Sequence, residues 1–306
     1  MTQSQSHEHI PANAGKIGWI GLGKMGTPIV RNLLGAGFDV TVYDVDPQRV
    51  DEAVQHGAHR ADDISAVARA APFVFSIIPD DTVLRNIALG ANGVIETAAG
   101  GTVFVDMSTV SPSVSGEVRD AAGKRGIGYV CAPVSGSTVL AEKAQLTIFA
   151  SGPDHAYAQV LPVFQAISAR QYYVGSDQQA RYLKLAINHL VGSTAVLLAE
   201  ALTLGTKGGL DWSDMLNVIG DSVAASPLVK YKLEPLKQRN FAPAFSSVQM
   251  LKDMSLVVAA GAEAGVPMAA ATLVRDQFAS YARGDGAQLD FFSIVRAIEA
   301  QAGISH

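Results

Sequence analysis

Residues 16–26 read Lys-Ile-Gly-Trp-Ile-Gly-Leu-Gly-Lys-Met-Gly, an apolar run that passes into glycines spaced G-x-G-x-x-G. The run over 16–21 predicts a buried strand, and the pattern after it predicts a helix over about 25–35. Each glycine then has a mechanical task. Gly21 permits the tight turn, Gly23 lets the backbone approach a pyrophosphate, and Gly26 lets helix and strand pack closely, with the anion on the helix N-terminus. In a chain with 29 glycines such a spacing alone is weak, and its context strengthens it. The next apolar run, over 39–43, leads into Asp44, 18 residues beyond Gly26 and close to the roughly 20 at which an acid meets the adenosine ribose. These features assign Gly21, Leu22, Gly23, Lys24, Met25, Gly26 and Asp44 to a dinucleotide site, against the plainer reading of a glycine turn with Asp44 as a helix cap. A carboxylate at position 44 accepts from ribose hydroxyls and repels a 2′-phosphate, which favours NAD. Arg49, close by in sequence, keeps NADP open.

Outward from this site the same alternation continues. Further short apolar runs over 73–78, 103–106, 128–130 and 146–151 predict buried strands, with helical segments such as 50–55 and 64–70 between them. That is the signature of βαβ units and a parallel sheet. After about residue 175 the strand signals nearly vanish, and alanine- and leucine-rich segments over 180–207, 211–219, 248–263 and 268–283 predict helices. Asp211 and Ser213 are candidate N-caps, and the glycines at 208, 209 and 265 mark helix ends. The expected architecture is therefore an α/β Rossmann-type N-terminal domain over 16–177 and an all-α C-terminal domain over 178–306, joined by a long interdomain helix. Residues 1–15, polar and without an apolar segment of signal-peptide type, are expected to be a loose tail.

The 306 residues fit about two domains at roughly 100–200 residues each. With 48% hydrophobic and 17% charged residues, the composition excludes a disordered chain. A net charge of −5 argues against a broad surface for nucleic acid or anionic lipid and points to a small molecule as partner. The single cysteine, Cys131, makes no internal disulfide, which suits a reducing cytoplasm. Segment 183–204 is long enough to span a bilayer, but Lys184, Asn188, His189 and Glu200 make insertion costly, so it is expected to be a helix inside the protein. It is apolar on nearly all sides and therefore expected to be surrounded. At 28 residues the predicted helix would extend about 42 Å, enough for one face to pack on a second subunit in a homodimer or homotetramer.

Three segments combine polar chemistry with apolar surroundings. Asp106-Met107-Ser108-Thr109 and Pro133-Val134-Ser135-Gly136-Ser137 each follow a predicted strand, where parallel sheets present ligands. Lys184 and Asn188 stand at i and i+4 on one helix face, and a lysine among Leu, Ala, Ile and Val needs a task or a partner. Other chemistries lack support. Cys131 has no Cys-His arrangement, Ser135 is not in a G-x-S-x-G elbow, and the histidines show no metal-ligand spacing. Lys230, Lys232, Lys237 and Arg239 read as a solvated helix face.

The chain resembles the β-hydroxyacid dehydrogenase family over nearly its whole length after residue 15. The likeness rests on Gly21 through Gly26 continuing to Asn32-Leu33, Asp106 through Thr109, Ala132-Pro133-Val134-Ser135-Gly136, Lys184 with Asn188, and Lys252-Asp253. The resemblance implies hydride transfer between a nicotinamide cofactor and a small carboxylate-bearing β-hydroxy acid or semialdehyde, with Lys184 as general acid/base. A lysine does this best with its pKa lowered towards neutrality. It further implies that Asn188 orients the amine or binds a substrate oxygen, and that Ser135 and the Gly136 amide hold the carboxylate. Thr109 would contact substrate and nicotinamide, with Ile78, Pro79 and Lys252 also on the cofactor. Residues 135–152, with Phe245 and Asp253 as further substrate contacts, look closest to the glyoxylate/succinic semialdehyde branch. Departures lie around the expected pocket: Cys131 replaces an aspartate, Ser137 a glycine, Ala144-Gln145 a Gly-Thr, and His189 a second asparagine. Two alternatives stay open, an imine reductase on the same scaffold and a non-catalytic dinucleotide-binding protein. The presence of Lys184 weighs against both.

Overall fold

The computed structural model of the protein describes residues 15–304, so the expected tail over 1–15 lies outside the described residues except for Gly15. The chain divides into two compact units between Lys184 and Leu185.

In the first unit, strands β1 (Lys16–Ile20), β2 (Asp39–Tyr43), β3 (His59–Arg60), β4 (Phe73–Ser76), β5 (Val103–Asp106) and β6 (Gly128–Cys131) form one sheet in the order β3-β2-β1-β4-β5-β6. All five pairings are parallel. The crossovers carry helices α1 (Gly26–Gly35), α2 (Pro47–Gln55), α3 (Ile64–Ala70), α4 (Asp81–Leu89), α5 (Val94–Thr97) and α6 (Pro112–Lys124). Strand order reverses between β1 and β4, and in open α/β sheets ligands bind at the carboxyl ends beside such a switch. Local chemistry sets where the helices start. Asp46, Asp63, Asp80 and Ser111 each cap one by accepting a backbone N–H, a device whose removal typically costs about 1 kcal/mol. The core holds Ile17, Trp19, Leu33, Val42, Phe75, Val105 and Phe164, with the Trp19 and Phe75 rings stacked at 5.8 Å.

Several expected boundaries shift for identifiable reasons. The strand expected over 16–21 stops at Ile20, because Gly21 takes φ of +100° and leaves the extended region. The strand expected over 73–78 ends at Ser76, because the Ile78 N–H turns aside to the Ser108 hydroxyl at 2.8 Å. The run at 146–151 does not join the parallel sheet. It forms β8 (Leu146–Ala150) of a separate three-stranded sheet, antiparallel to β7 (Val134–Ser135) and parallel to β9 (Ser168–Tyr173). Two helices complete this part, α7 (Thr138–Glu142) and α8 (Asp154–Ile167).

The long helix α9 (Gln179–Lys207) begins in the first unit and gives most of its length to the second. The second unit is otherwise α10 (Trp212–Asp221), α11 (Pro227–Lys237), α12 (Ser247–Glu263), α13 (Ala269–Tyr281), a 3-10 turn (Phe291–Ile294) and α14 (Val295–Gln301). Asp211 caps α10 by accepting from the N–H groups of Ser213 and Asp214, so Ser213 lies inside the helix rather than capping it. The core joins Val196, Ala199 and Leu202 of α9 to Met250, Met254, Phe278 and Ile294. Among the described residues α9 is the one helix long and apolar enough to cross a membrane, and its apolar stretch is partly built into this core.

Two expectations fail here. First, α9 is not surrounded within the chain: Leu190, Leu197 and Leu204, seven residues apart, are 68%, 63% and 75% exposed. Second, the basic cluster is not a solvated face. Lys232 is buried and donates to both oxygens of Asp290 at 2.8 and 2.7 Å, and Arg239 pairs with the buried Glu299. Lys230 alone of the four is exposed.

Candidate active site

The cofactor cradle is built by the turn from β1 into α1. The Gly21 N–H donates to the Tyr43 carbonyl at 2.9 Å and its carbonyl accepts the Trp19 indole N–H at 2.8 Å, which fixes the turn between β1 and β2. A Cβ at Gly26 would stand 2.0 Å from the Gly21 carbonyl oxygen, so helix and strand approach as closely as backbone allows. Over Gly23 the space is open, the nearest atom to a Cβ there being Arg49 Nη1 at 4.0 Å. No side chain caps α1, and its N-terminus favours an anion. Closed at Gly21 and Gly26 and open at Gly23, the turn fits a dinucleotide pyrophosphate. A cavity of ≈ 700 Å³ lies here, lined by Leu22, Gly23, Lys24, Thr27, Asp46 and Arg49 among others.

Asp44 follows β2 directly and is held from both sides. Its Oδ2 accepts from the Leu22 N–H at 2.6 Å and its Oδ1 from the Asp46 N–H at 2.8 Å. Each carboxylate oxygen keeps further acceptor capacity, which suits ribose hydroxyls. Arg49 leans on acids: its Nε lies 3.2 Å from Asp46 Oδ2 and its Nη1 4.0 Å from Asp44 Oδ2.

Across the switch point, the carboxyl ends of β4, β5 and β6 are tied together by buried polar groups. Asp106, fully buried, accepts at Oδ1 from the hydroxyls of Ser76 and Ser108, both at 2.7 Å, while Ser108 Oγ accepts the Ile78 N–H. Its Oδ2 receives Arg181 Nη2 at 2.6 Å. Arg181 is 1% exposed and also donates to the Ser108 carbonyl at 2.6 Å, the Ser115 hydroxyl at 3.0 Å and the Tyr129 hydroxyl at 3.1 Å. Burial pushes the Tyr129 phenol up and keeps it protonated. Burial opposes the Arg181 charge, but the Asp106 carboxylate and the Tyr129 hydroxyl that accepts from it outweigh that and hold the guanidinium above its ordinary value. Asp106 therefore serves this network and is not a ligand group, and Cys131 is packed beside it, 3.3 Å from Ser115 Oγ.

The remaining expected residues fall into two groups. In the first unit, Ile78, Thr109, Ser135 and Lys184 are half-buried, Pro79 is exposed, and Gly136 is exposed at φ +137°. Lys184 lies in the second turn of α9, three residues beyond Arg181. In the second unit, the Asn188 amide Nδ2 donates to Asp253 Oδ2 at 2.6 Å, both residues being buried. Lys252 Nζ stands 2.8 Å from Asp253 Oδ1, while the Phe245 ring packs edge-on against Phe291 at 6.0 Å. His189 is half-buried and accepts or donates at Nδ1 with Ser193 Oγ, 3.3 Å away. Among the described residues no group of His, Cys, Asp or Glu is arranged to hold a metal.

Sequence reasoning missed Arg181. Its partners lie 52 to 75 residues away in the chain, and the one local signal was a charged residue within an apolar helix start, which was read only at Lys184.

Residues 16–175 match the model of the NAD binding domain of 6-phosphogluconate dehydrogenase, and residues 179–298 match that for NAD-binding of NADP-dependent 3-hydroxyisobutyrate dehydrogenase. The chain is 35% identical to 2-(hydroxymethyl)glutarate dehydrogenase of Eubacterium barkeri, a match spanning 95% of this chain and 97% of that protein. It is 31% identical to glyoxylate/succinic semialdehyde reductase 1 of Arabidopsis thaliana, across 93% and 98% of the two chains. Among solved structures, 3-hydroxyisobutyrate dehydrogenase of Mycobacterium tuberculosis with L-serine superimposes with a TM-score of 0.85 at 26% identity, covering 93% of this chain and 99% of that one.

Proposed function

The chain belongs to the 3-hydroxyisobutyrate dehydrogenase-like β-hydroxyacid dehydrogenase family, and from that premise we propose that it interconverts a small β-hydroxy acid, or a closely related ω-hydroxy acid, and the matching aldehyde or keto acid. When bound, the nicotinamide gives or takes the hydride. Lys184 protonates the carbonyl oxygen during reduction and removes that proton during oxidation, a role that contributes about 10²–10⁴-fold to such reactions. Asn188 supports it. With its NH₂ held by Asp253, its carbonyl oxygen is the atom left to accept from an ammonium or a substrate hydroxyl. Ser135 and the Gly136 amide receive the carboxylate, Thr109, Phe245 and Asp253 line the substrate, and Ile78, Pro79, Thr109 and Lys252 contact the cofactor. The dinucleotide site occupies 16–177, and 178–306 serves substrate binding and subunit association.

The observation that carries the proposal is the placement of Lys184 on a helix whose first turn is bonded, through Arg181, to the carboxyl end of β5 and to Tyr129 of β6. That is the edge at which parallel sheets bind ligands. NAD is the preferred cofactor, because Asp44 stands fixed at the end of β2 and Arg49 already leans on Asp44 and Asp46. The exposed leucines of α9 support a homodimer or homotetramer, and a buried lone cysteine suits the cytoplasm.

The test is NADH and NADPH oxidation with succinic semialdehyde, glyoxylate, tartronate semialdehyde and methylmalonate semialdehyde, with a cyclic imine alongside. Turnover of at least one aldehyde, faster with NADH, is expected. Turnover of the imine alone, or of nothing, would overturn the proposal.

A further inference from the structure

We infer that Arg181 is a positioning residue for Lys184, an assignment that rests on the reading of Lys184 as general acid/base. A buried guanidinium is costly unless its donors are satisfied, and Arg181 satisfies its own with four partners on three segments: Asp106 at the end of β5 and the Ser108 carbonyl just after it, Ser115 of α6, and Tyr129 of β6. Through Asp106 the bonds continue to Ser76 at the end of β4, and through the Ser108 hydroxyl to the Ile78 N–H. One side chain thus locks the start of α9 to the ends of β4 and β5, to β6 and to the loops that contain Ile78 and Thr109.

Lys184 is three residues further along the same helix, about 4.5 Å up the axis at 1.5 Å per residue, with neither Gly nor Pro between. Residues three apart are neighbours on a helix surface, so any rotation of the first turn carries the lysine with it. A rotation of only ~10° moves the tip of an extended lysine by about 1 Å, given a Cα radius of ~2.3 Å. A misplacement of that size costs about 10²-fold in rate. The guanidinium's planar fork fixes that rotation, and an ammonium at the same place, a single point of charge, does not.

The experiment compares R181K with wild-type full-length holoenzyme on the best aldehyde, recording kcat, both KM values and the pH profile. The expected result is kcat lower by about 10²-fold, both KM values within threefold of wild type, as for interactions made in the transition state only, and an unmoved pH of half-maximal kcat, because the charge is kept. R181A should regain part of its kcat when guanidinium is added in the tens of millimolar. Wild-type kcat in R181K, with at most a lower melting temperature, would overturn the inference. Should R181K fail to fold, the double variant S115A/Y129F removes two acceptors and leaves the Arg181–Asp106 pair. Lower kcat at unchanged KM supports the inference, and full kcat overturns it. Absence of wild-type turnover would bring down the functional reading and this inference together, whereas turnover that R181K retains brings down the inference alone.

Discussion

Replacing Gly26 by alanine tests the cradle most sharply, because the structure says what the new methyl meets. Its Cβ would stand 2.0 Å from the Gly21 carbonyl oxygen, where real contacts do not fall below 3.0 Å, and 3.1 Å from Ile77 Cγ2. The turn cannot yield, since Gly21 is bonded at its carbonyl to Trp19 and at its N–H to Tyr43. The start of α1 must therefore retreat by about 1 Å, the shortfall between those two distances. Overpacking of this kind costs about 1–3 kcal/mol, which at ~2–4 °C per kcal/mol for a unit of this size lowers the melting temperature by roughly 2–12 °C. The same retreat pulls the helix N-terminus off the pyrophosphate. Losing one charge-assisted hydrogen bond of about 1.5–3 kcal/mol weakens NADH by about 10- to 100-fold. Gly23→Ala is the matched control. Its methyl meets nothing closer than 4.0 Å, so the melting temperature should hold within ~1 °C, as for an unstrained surface change. NADH should nevertheless weaken at least about tenfold, because the methyl fills the space of the pyrophosphate. Calorimetric titration with NADH and a thermal melt read both effects. NADH affinity within twofold of wild type in G26A, or untouched in G23A, would refute the geometry.

Removing the ribose acceptor with D44S should weaken NADH by about 10- to 100-fold, again one charged hydrogen bond, and raise the NADPH-to-NADH preference as Arg49 loses one of the two acids it leans on. Unchanged NADH affinity in a fluorescence titration would contradict this. K232M leaves the buried Asp290 carboxylate without its counter-charge, the Lys232 ammonium that stands near the rings of Phe291, Phe292 and Tyr231. Such losses cost about 3–5 kcal/mol, and a change below ~1 kcal/mol in urea denaturation would show that the pair does not carry this weight. L197E places a charge in the middle of the exposed leucine stripe of α9 and should convert the proposed homodimer or homotetramer to monomer in light scattering after gel filtration. A wild-type monomer would contradict the association itself.

What the sequence made legible was local. The three glycines, the spacing to Asp44 and the cap at Asp211 are short-range signals, and each had a direct mechanical reading. The small sheet was not, because β9 (Ser-Ala-Arg-Gln-Tyr-Tyr) buries Ser168 and exposes most of the rest, so neither alternation nor a continuous apolar run marks it as a strand. Buried charge pairs were equally hidden. Lys232 looked like one of several surface cations, and only its distance to Asp290, 58 residues on, shows otherwise. Arg181 belongs with these, since nothing near it in sequence announces Asp106 or Tyr129. The all-round apolarity of α9 was read as burial on all sides, although Leu190, Leu197 and Leu204 remain uncovered within the chain. Apolar composition reports that a face needs covering, not which chain covers it.

The central claim is that Lys184 moves the proton. Steady-state turnover of K184A on the best aldehyde, with NADH affinity measured on the same sample, tests it most directly. The account predicts kcat lower by about 10²–10⁴-fold with NADH affinity within twofold of wild type; wild-type turnover in K184A would contradict it.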